Sequence, residues 1–298
     1  MNMVSLVLAT YGRCDDVGRM LDSLVAQTDT AFEVLIVDQN PDDRLCEPIA
    51  RGLAAGLAIR HLRLERPSLS GARNLGIAQA KGKIIGFPDD DCWYEPETVA
   101  EVRNAFAQES SVDGVVGCWV EQLAASGGAT PAGSLSNAEW HRFQGKGASS
   151  ITLFFRRHLF ERLGDFDERF GVGKWYGAAE ETDFILRALA KGAWLEYCPP
   201  ARIHHAFSSS PMISLSATCL AARKRARGTG GIYAKHEMST WVIFRGLVGQ
   251  ILRPLLAGKL KATLVGACAS RGSLEGFLKW RRTEPKKSPT KQDSSLLS

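Results

Sequence analysis

The chain is organised around Ile84-Ile85-Gly86-Phe87-Pro88-Asp89-Asp90-Asp91, where a short apolar run leads directly into three consecutive carboxylates. An apolar run of this length is typical of a strand that is buried on both faces. Like charges a few Å apart raise one another's pKa, so such a triplet is best satisfied with a cation beside it. Hard oxygen ligands suit Mg²⁺ or Mn²⁺, and Mg²⁺ is commonly shared between carboxylates and substrate phosphates. A solvated acidic turn is the alternative interpretation, and the triplet alone does not decide between the two.

Before the triplet, short apolar runs alternate with amphipathic helical patterns. This alternation predicts an α/β fold whose mostly parallel sheet carries helices on both faces. In such sheets, ligands bind beyond the carboxyl ends of the strands. Thr10-Tyr11, Asp38 and the Asp triplet each follow a predicted strand, so we expect them to share one site. The predicted strands are residues 4–9, 32–37, 57–64 and 83–87, and helices are predicted near residues 17–25, 44–55 and 68–80.

The rest of the first two thirds of the chain continues the pattern less regularly. Further strands are predicted at residues 112–120, 151–155 and 195–198. Residues 122–137 are rich in Gly, Ser and Ala, which predicts a mobile loop or a lid over an acceptor. Trp175 and Tyr176 follow several glycines, and they fit either ordinary loop packing or a stacking surface for a sugar.

Two polar groups in this part are candidates for a site. Arg73 is predicted in the first turn of its helix, where backbone amides and the dipole favour anions. It therefore contacts either a diphosphate or a neighbouring acid. His204 and His205 follow two prolines and are predicted to lie in a loop, as metal ligands or as ordinary polar surface.

Acidic residues open a predicted helix over residues 179–192. The helix dipole alone would favour acids at this end. Asp183 and Arg187 have the spacing at which side chains pair on a helix surface. Glu181 has no such partner at that spacing and is the freer carboxylate.

The composition excludes several classes of protein. The 298 residues, 45% of them hydrophobic, suffice for one large α/β domain plus an appendage, or for two domains. The seven cysteines are scattered without a C-x-x-C pair, which argues against a disulfide framework or a zinc knuckle and favours a reducing compartment. Residues 1–13 show no pattern of a signal peptide, so a cytoplasmic location is expected.

Six pieces of sequence, in order along residues 3–207, resemble the inverting, GT-A-fold glycosyltransferases of family 2. They read V-S-L-V-L-A-T-Y-G-R, V-L-I-V-D-Q-N, G-A-R-N-L-G-I-A-Q-A-K-G, I-I-G-F-P-D-D-D, G-A-A-E-E-T-D-F and I-H-H. Each piece is weak by itself, but six in the family's order and spacing are specific. The resemblance implies a GT-A catalytic domain at residues 1–207.

The resemblance also implies where the donor binds. Arg73 would lie by the diphosphate and Asp89 by the ribose, with Asp90 between Asp89 and Asp91. The residues implied to line the nucleotide pocket are Thr10, Tyr11, Arg13 and Asp38, with Asp38 at the edge of the base.

The resemblance also implies the metal ligands and the catalytic base. Asp91 would ligate Mg²⁺ or Mn²⁺ with either His204 or His205, and the motif does not decide which. The family usually has Glu-Asp before the catalytic helix, whereas this chain has Glu-Glu. The base therefore falls on Glu181, with Asp183 as a second candidate because the extra methylene changes the reach.

The implied reaction moves a sugar from a nucleoside diphosphate, UDP by default, to an acceptor hydroxyl. The metal and Arg73 would stabilise the charge that grows on the leaving diphosphate. A sugar-nucleotide pyrophosphorylase would need a Gly-rich loop after its first strand, and a glycosidase would need no metal. The remaining alternative is a catalytically inactive nucleotide-sugar-binding or scaffold protein of the same fold.

The C-terminal part differs in charge from the rest of the chain. Residues 1–222 carry 21 Lys and Arg against 28 Asp and Glu, whereas residues 223–282 carry 13 against 2. We expect a basic amphipathic helical extension at residues 208–282 and a disordered tail at residues 283–298. Residues 239–282 would contact an anionic membrane surface or, alternatively, pack on the catalytic domain or a homodimer partner. The membrane alternative fits a lipid-linked acceptor at the inner face of a membrane; a saccharide acceptor is the other class, and nucleic acid is not expected as a partner.

Overall fold

The computed structural model describes residues 3–127, 130–143, 147–205 and 214–283. The described residues divide into two compact units. The first lies within Met1–Trp175 and Ala179–Ile213, and the second within Tyr176–Ala178 and Ser214–Ser298. The boundary expected at 207/208 and nearly all of the tail expected at residues 283–298 fall outside the described residues.

An eight-stranded mixed sheet is the centre of the first unit. Its apolar strands are buried on both faces, as the sequence predicts: in the first strand Leu6 and Leu8 pack on one side while Val7 packs on the other. In chain order the strands are β1 (Val4–Thr10), β2 (Phe32–Asp38), β3 (Ile59–Arg63), β4 (Ile84–Gly86), β5 (Cys92–Tyr94), β6 (Gly114–Trp119), β7 (Leu153–Arg156) and β8 (Leu195–His205).

The strand order is β3-β2-β1-β4-β7-β6-β8-β5. The four strands β3, β2, β1 and β4 are parallel, which confirms the doubly covered α/β sheet. Strand β7 is antiparallel to both β4 and β6, and β5 is antiparallel to β8. An apolar run indicates burial but not direction, so these antiparallel pairs were not predicted.

Helices cover both faces of the sheet. Buried side chains of α1, α2 and α4 belong to one core cluster, and those of α3, α7 and α8 to the other. A short 3₁₀-helix, Ser150–Thr152, precedes β7. The helices of this unit are α1 (Asp15–Val25), α2 (Cys46–Ala54), α3 (Leu69–Gln79), α4 (Thr98–Gln108), α5 (Val120–Ala125), α6 (Asn137–His141), α7 (Arg157–Leu163) and α8 (Glu180–Ala190).

One local prediction is wrong and another holds only in part. The loop expected at residues 122–137 begins inside α5, since residues 122–125 are helical; residues 126, 127 and 130–136 lie outside the helices, and residues 128 and 129 lie outside the described part. The histidine pair lies at the end of β8, not in a loop, because β8 continues through Pro199 and Pro200. A shift in register between Val116 and Cys118 of β6 interrupts the pairing there, and proline without an N–H can be accommodated at such an irregularity.

The second unit is helical, with α9 (Leu215–Lys235), α10 (Thr240–Leu256) and α11 (Leu260–Thr283). Helices α9 and α11 approach closely, since a methyl group at Gly276 would overlap the carbonyl of Arg227. Glu275 accepts hydrogen bonds from Arg223 and Arg227 across the two helices, both at 3.1 Å. Within the part of the chain that is described, no helix has the length and apolar character needed to cross a membrane.

The two aromatic residues considered for sugar stacking have different surroundings. Tyr176 is buried and meets Trp280 edge-on, with ring centroids 5.6 Å apart. This contact is ordinary packing within the second unit. Trp175 is 38% exposed in the first unit.

Candidate active site

The carboxyl ends of the parallel strands meet at one edge of the sheet. Thr10 at the end of β1 is paired with Asp38 at the end of β2. After β4 the chain runs alongside β1, where Asp89 forms a bridge with Ala9. The acids and Thr10 are therefore brought to a common edge, as the alternation of strands and helices predicts.

Asp89, Asp91 and His205 form a cluster that could hold a metal ion. One donor atom from each lies within 4.8 Å of the other two. The cluster forms because β5 and β8 are paired with Cys92 opposite His205, directly beside the acid triplet. Two carboxylates and an imidazole are hard or borderline donors, which fits Mn²⁺ or Mg²⁺.

Asp91 is ready to act as an anionic ligand. Burial opposes its ionisation, but hydrogen bonds with His205 and Arg13 outweigh burial and lower its pKa to about 2. His205 Nε2 lies 3.0 Å from an oxygen of Asp91, and this hydrogen bond raises the pKa of His205.

The neighbouring histidine has other partners. Nδ1 of His204 lies 2.8 Å from Glu121, and its Nε2 lies 3.1 Å from Glu95. Its ring stacks on Trp93 with an interplanar angle of 2°. The other oxygen of Glu121 accepts the backbone N–H of His205 at 3.0 Å, so this network fixes the strand end that carries His205.

Asp90 faces β1 rather than the cluster. Thr10 donates its hydroxyl to Asp90 at 2.8 Å, and the Arg13 guanidinium lies 3.2 Å from the other oxygen. Burial raises the pKa of Asp90 to about 6, although Thr10 and Arg13 favour its charged form. Arg13 also pairs with Asp91, so this cation balances two acids of the triplet.

Arg73 is a buried link between the acid triplet and α8. Ser68 caps α3 and the helix begins at Leu69, so Arg73 lies in the second turn rather than the predicted first. The side chain is 1% exposed and donates to Glu180 at 2.9 Å and to Asp89 at 3.0 Å. Pairing with acids was one of the two predicted alternatives, and contact with a diphosphate stays a prediction.

The two candidate bases differ in their surroundings. Asp183 is fully buried and accepts a hydrogen bond from Arg187 at 2.9 Å, the pairing that their spacing predicts. Glu181 is half-buried. Burial, and then the charge of Glu180, raises the pKa of Glu181 to about 8. Glu181 therefore binds a proton more tightly than an ordinary glutamate does.

A cavity of about 400 Å³ opens beside the ends of β1 and β2. Tyr11, 57% exposed, and Arg63 are among the residues that line it. Asp38 lies at its floor, where one oxygen accepts from the backbone and side chain of Asn40 and the other lies 2.9 Å from His61. These bonds fix Asp38, and its predicted contact with a base is not tested by them.

The sequence profile of Glycosyl transferase family 2 matches residues 5–160. The chain belongs to this family. Its fold is that of the GT-A glycosyltransferases, in agreement with the resemblance of its motifs. The profile includes the ends of β1 and β2 and the whole acid triplet, whereas Glu181 and His205 lie beyond it.

Curated relatives match only part of the chain. "Uncharacterized glycosyltransferase YibD" of Escherichia coli is 34% identical over 113 residues, which are 38% of this chain and 32% of the relative. "Glycosyltransferase AglE" of Haloferax volcanii is 28% identical over 194 residues, 61% of this chain and 63% of the relative. The chain thus covers less than two thirds of each of these proteins.

Solved structures match nearly the whole chain in fold, although their sequence identity to it is low. A mannosyltransferase from Pyrobaculum calidifontis, in complex with GDP-Man and Mn²⁺, matches 95% of this chain and 76% of its own, with a TM-score of 0.62 and 17% identity. S. aureus TarS 1-349 in complex with UDP-GlcNAc matches 92% of this chain and 91% of its own, with a TM-score of 0.55 and 17% identity. Both are similar to this family 2 chain in fold.

The residues that hold the site residues in place were not predicted from the sequence. Glu95 and Glu121 hold His204 and the end of β8, but neither lies in a recognisable motif. The short apolar run of residues 92–94 was a weak signal for β5, the strand that brings His205 to the triplet. The role of Glu180 as a partner of Arg73 had no local signal, because the two are 107 residues apart in sequence.

Proposed function

We propose that this family 2 protein is a metal-dependent inverting glycosyltransferase. It transfers a sugar from a nucleoside diphosphate sugar, with a UDP-sugar favoured, to the hydroxyl of a saccharide or lipid-linked acceptor. Such a reaction fits the assembly of a bacterial polysaccharide or glycolipid.

One observation carries the proposal. Arg73 joins Asp89 of the candidate metal cluster to Glu180, the residue before Glu181. The candidate metal cluster and the residue adjacent to Glu181 are thus bound to the same buried cation. This arrangement supports transfer better than binding alone, because leaving-group stabilisation and proton removal need to be close together.

On the donor side, the cavity beside Asp38 would take the nucleoside, and Tyr11 and Arg13 would lie along its path to the acid triplet. Asp91 and His205 would hold Mg²⁺ or Mn²⁺, with Asp89 as a third ligand or as the ribose contact. When bound, the ion would neutralise the charge that develops on the departing diphosphate. Arg73 would add positive charge at the same place.

On the acceptor side, Glu181 would remove the proton of the attacking hydroxyl. The oxygen then forms a bond to the anomeric carbon while the bond to the diphosphate breaks on the opposite face, so the configuration inverts. A carboxylate whose pKa is near neutrality suits this role, and general-base catalysis contributes typically about 10²–10⁴-fold. Asp183 is the alternative base, but its bond to Arg187 makes it less suited.

Turnover of nucleotide sugars tests the transfer. Wild-type protein with Mn²⁺ and a set of saccharide and lipid-linked acceptors should release nucleoside diphosphate from one member of a panel of UDP-, GDP- and TDP-sugars. Glu181→Gln should lower this rate at least about 100-fold. Glu161→Gln, at an exposed position of α7, is the matched control and should leave it unchanged.

The possible results separate the alternatives. Equal turnover by wild type and Glu181→Gln would disprove the assignment of the base but not the transfer. Binding of a nucleotide sugar without any turnover would favour the inactive binding or scaffold protein. Retained configuration in the product, measured by proton NMR, would contradict the single displacement.

Metal binding is tested separately on the two histidines. His205→Ala should weaken Mn²⁺ binding at least about tenfold in calorimetric titration, because it removes a ligand. His204→Ala is the matched control, with a smaller expected effect because its ring nitrogens face Glu95 and Glu121. A stronger loss for His204→Ala than for His205→Ala would reverse the assignment.

A further inference from the structure

Helix α10 carries an exposed apolar surface on the side that faces away from its packing contacts. It packs through Val242, which is buried, and through Gly246, where a methyl group would overlap the hydroxyl of Tyr233. The carbonyl of Gln250 on the same side lies against Gly266 of α11. The α10 apolar face consists of Trp241, Phe244, Leu252, Leu255 and Leu256, which are 64, 57, 45, 51 and 84% exposed.

The spacing of these residues makes them one surface. At 3.6 residues per turn, all five side chains fall within about 120° of the helix circumference. The rings of Trp241 and Phe244 stack with centroids 6.0 Å apart, and Leu260, the first residue of α11, is also 69% exposed. Several large apolar side chains exposed on one helix face mark a contact site, whereas scattered exposed leucines do not.

The charge around this surface indicates the chemistry of its partner. No Asp or Glu occurs between Glu237 and Glu275, while the same stretch contains five Lys and Arg. Arg253, Lys259 and Lys261 are exposed at the end of α10 and the beginning of α11. A second copy placed on this surface would bring like charges together, which argues against a homodimer interface. An anionic surface complements the charge.

We propose that the α10 apolar face binds the surface of an anionic lipid bilayer. The apolar side chains enter the boundary between headgroups and acyl chains, and the neighbouring basic side chains pair with lipid phosphates. Trp is suited to this depth, since its ring is apolar and its N–H is polar. Helix α10 then lies in the plane of the membrane. This binding does not depend on the proposed transfer chemistry.

Vesicle flotation with the full chain tests the proposal without any activity measurement. Wild-type protein should float with vesicles of phosphatidylcholine and phosphatidylglycerol, and much less with phosphatidylcholine alone. Added salt should weaken binding because it screens the charges. Phe244→Ser combined with Leu256→Ser should lower the vesicle-bound fraction, with a partition coefficient at least about tenfold smaller.

Two further variants make the result specific. Leu53→Ser with Leu220→Ser removes leucines that are 50 and 51% exposed outside the α10 apolar face, and it should float like wild type. Arg253→Glu with Lys259→Glu should lose binding to anionic vesicles while the apolar residues remain.

Equal flotation of wild type and Phe244→Ser/Leu256→Ser would overturn the proposal. So would a wild-type protein that does not float with anionic vesicles. If sedimentation shows a wild-type dimer that becomes monomeric in Phe244→Ser/Leu256→Ser, the surface belongs to a second copy of the chain instead.

Discussion

The surroundings of Glu181 decide when it can take up a proton. Burial, followed by the charge of Glu180, disfavours its ionised form and raises its pKa to about 8. The nearby cation does not cancel this effect, because Arg73 is already shared by Glu180 and Asp89. A carboxyl in this position remains partly protonated where an ordinary glutamate is fully ionised.

The ionisation of Glu181 should therefore be visible in the pH dependence of turnover. As a base, Glu181 works only when deprotonated. The value of kcat/KM should therefore rise with pH along a limb whose pKa is about 8, and level off above that pH. An ordinary glutamate would give a limb near 4.5. A pH–rate profile of the wild-type enzyme measures this, and a limb at the ordinary value would contradict the assignment.

The same shift predicts a change in stability. A carboxyl whose pKa is higher in the folded state binds its proton more tightly there, so its contribution to stability is complete below 4.5 and is lost as the pH rises to about 8. Glu181→Gln should remove this loss in thermal unfolding across that range. Asp183→Asn should instead lower stability, because it disturbs a buried hydrogen bond to Arg187. If Asp183→Asn abolished turnover at unchanged stability, Asp183 would be the base.

At the scale of elements, the position of α3 on the sheet depends on Gly76. A methyl group there would overlap the side chain of Val7 in β1. Gly76 lies one turn after Arg73 on the same helix, so displacement of α3 would also move the buried cation of the site.

Gly76→Ala should destabilise the protein by about 1–3 kcal/mol, since overpacking forces backbone shifts. Gly249→Ala in α10 is the matched control, because the nearest atom to its added methyl group is Arg253 Nε at 4.0 Å. There the gain in helix propensity should stabilise by about 0.5–1 kcal/mol. Denaturant unfolding measures both, and equal effects would show that α3 can move without cost.

The elements that were predicted correctly are those whose signal is local. Apolar runs located β1, β2 and β4, and Ser68 marked the start of α3. Contacts between distant segments carried no such signal. The pairing of β5 with β8 places His205, rather than His204, beside Asp89 and Asp91, and this register cannot be read from either segment alone. The order of the motifs therefore predicted that the acid triplet and a histidine come together, but not their hydrogen bonds.

At the scale of the whole molecule, the two compact units also differ in charge. The acidic residues of the triplet lie in the first unit, whereas the basic stretch without acids lies in the helices of the second. Unfolding of such a chain need not be a single transition. Donor binding should then be seen in the transition of the first unit.

Nucleotide and metal should stabilise that unit cooperatively. A metal held by Asp89, Asp91 and His205 needs further oxygen ligands, and the phosphates of a nucleotide supply them. At about 100 times its dissociation constant, a ligand contributes about 2.7 kcal/mol, which shifts Tm by about 5–11 °C for a unit of 150–250 residues. UDP with Mn²⁺ should thus raise Tm by more than the sum of the separate shifts in scanning calorimetry, and GDP and TDP should raise it less. Asp91→Asn should lose the cooperative part and keep the nucleotide's own shift; additive shifts in the wild type would mean that the metal does not bridge the protein to the diphosphate.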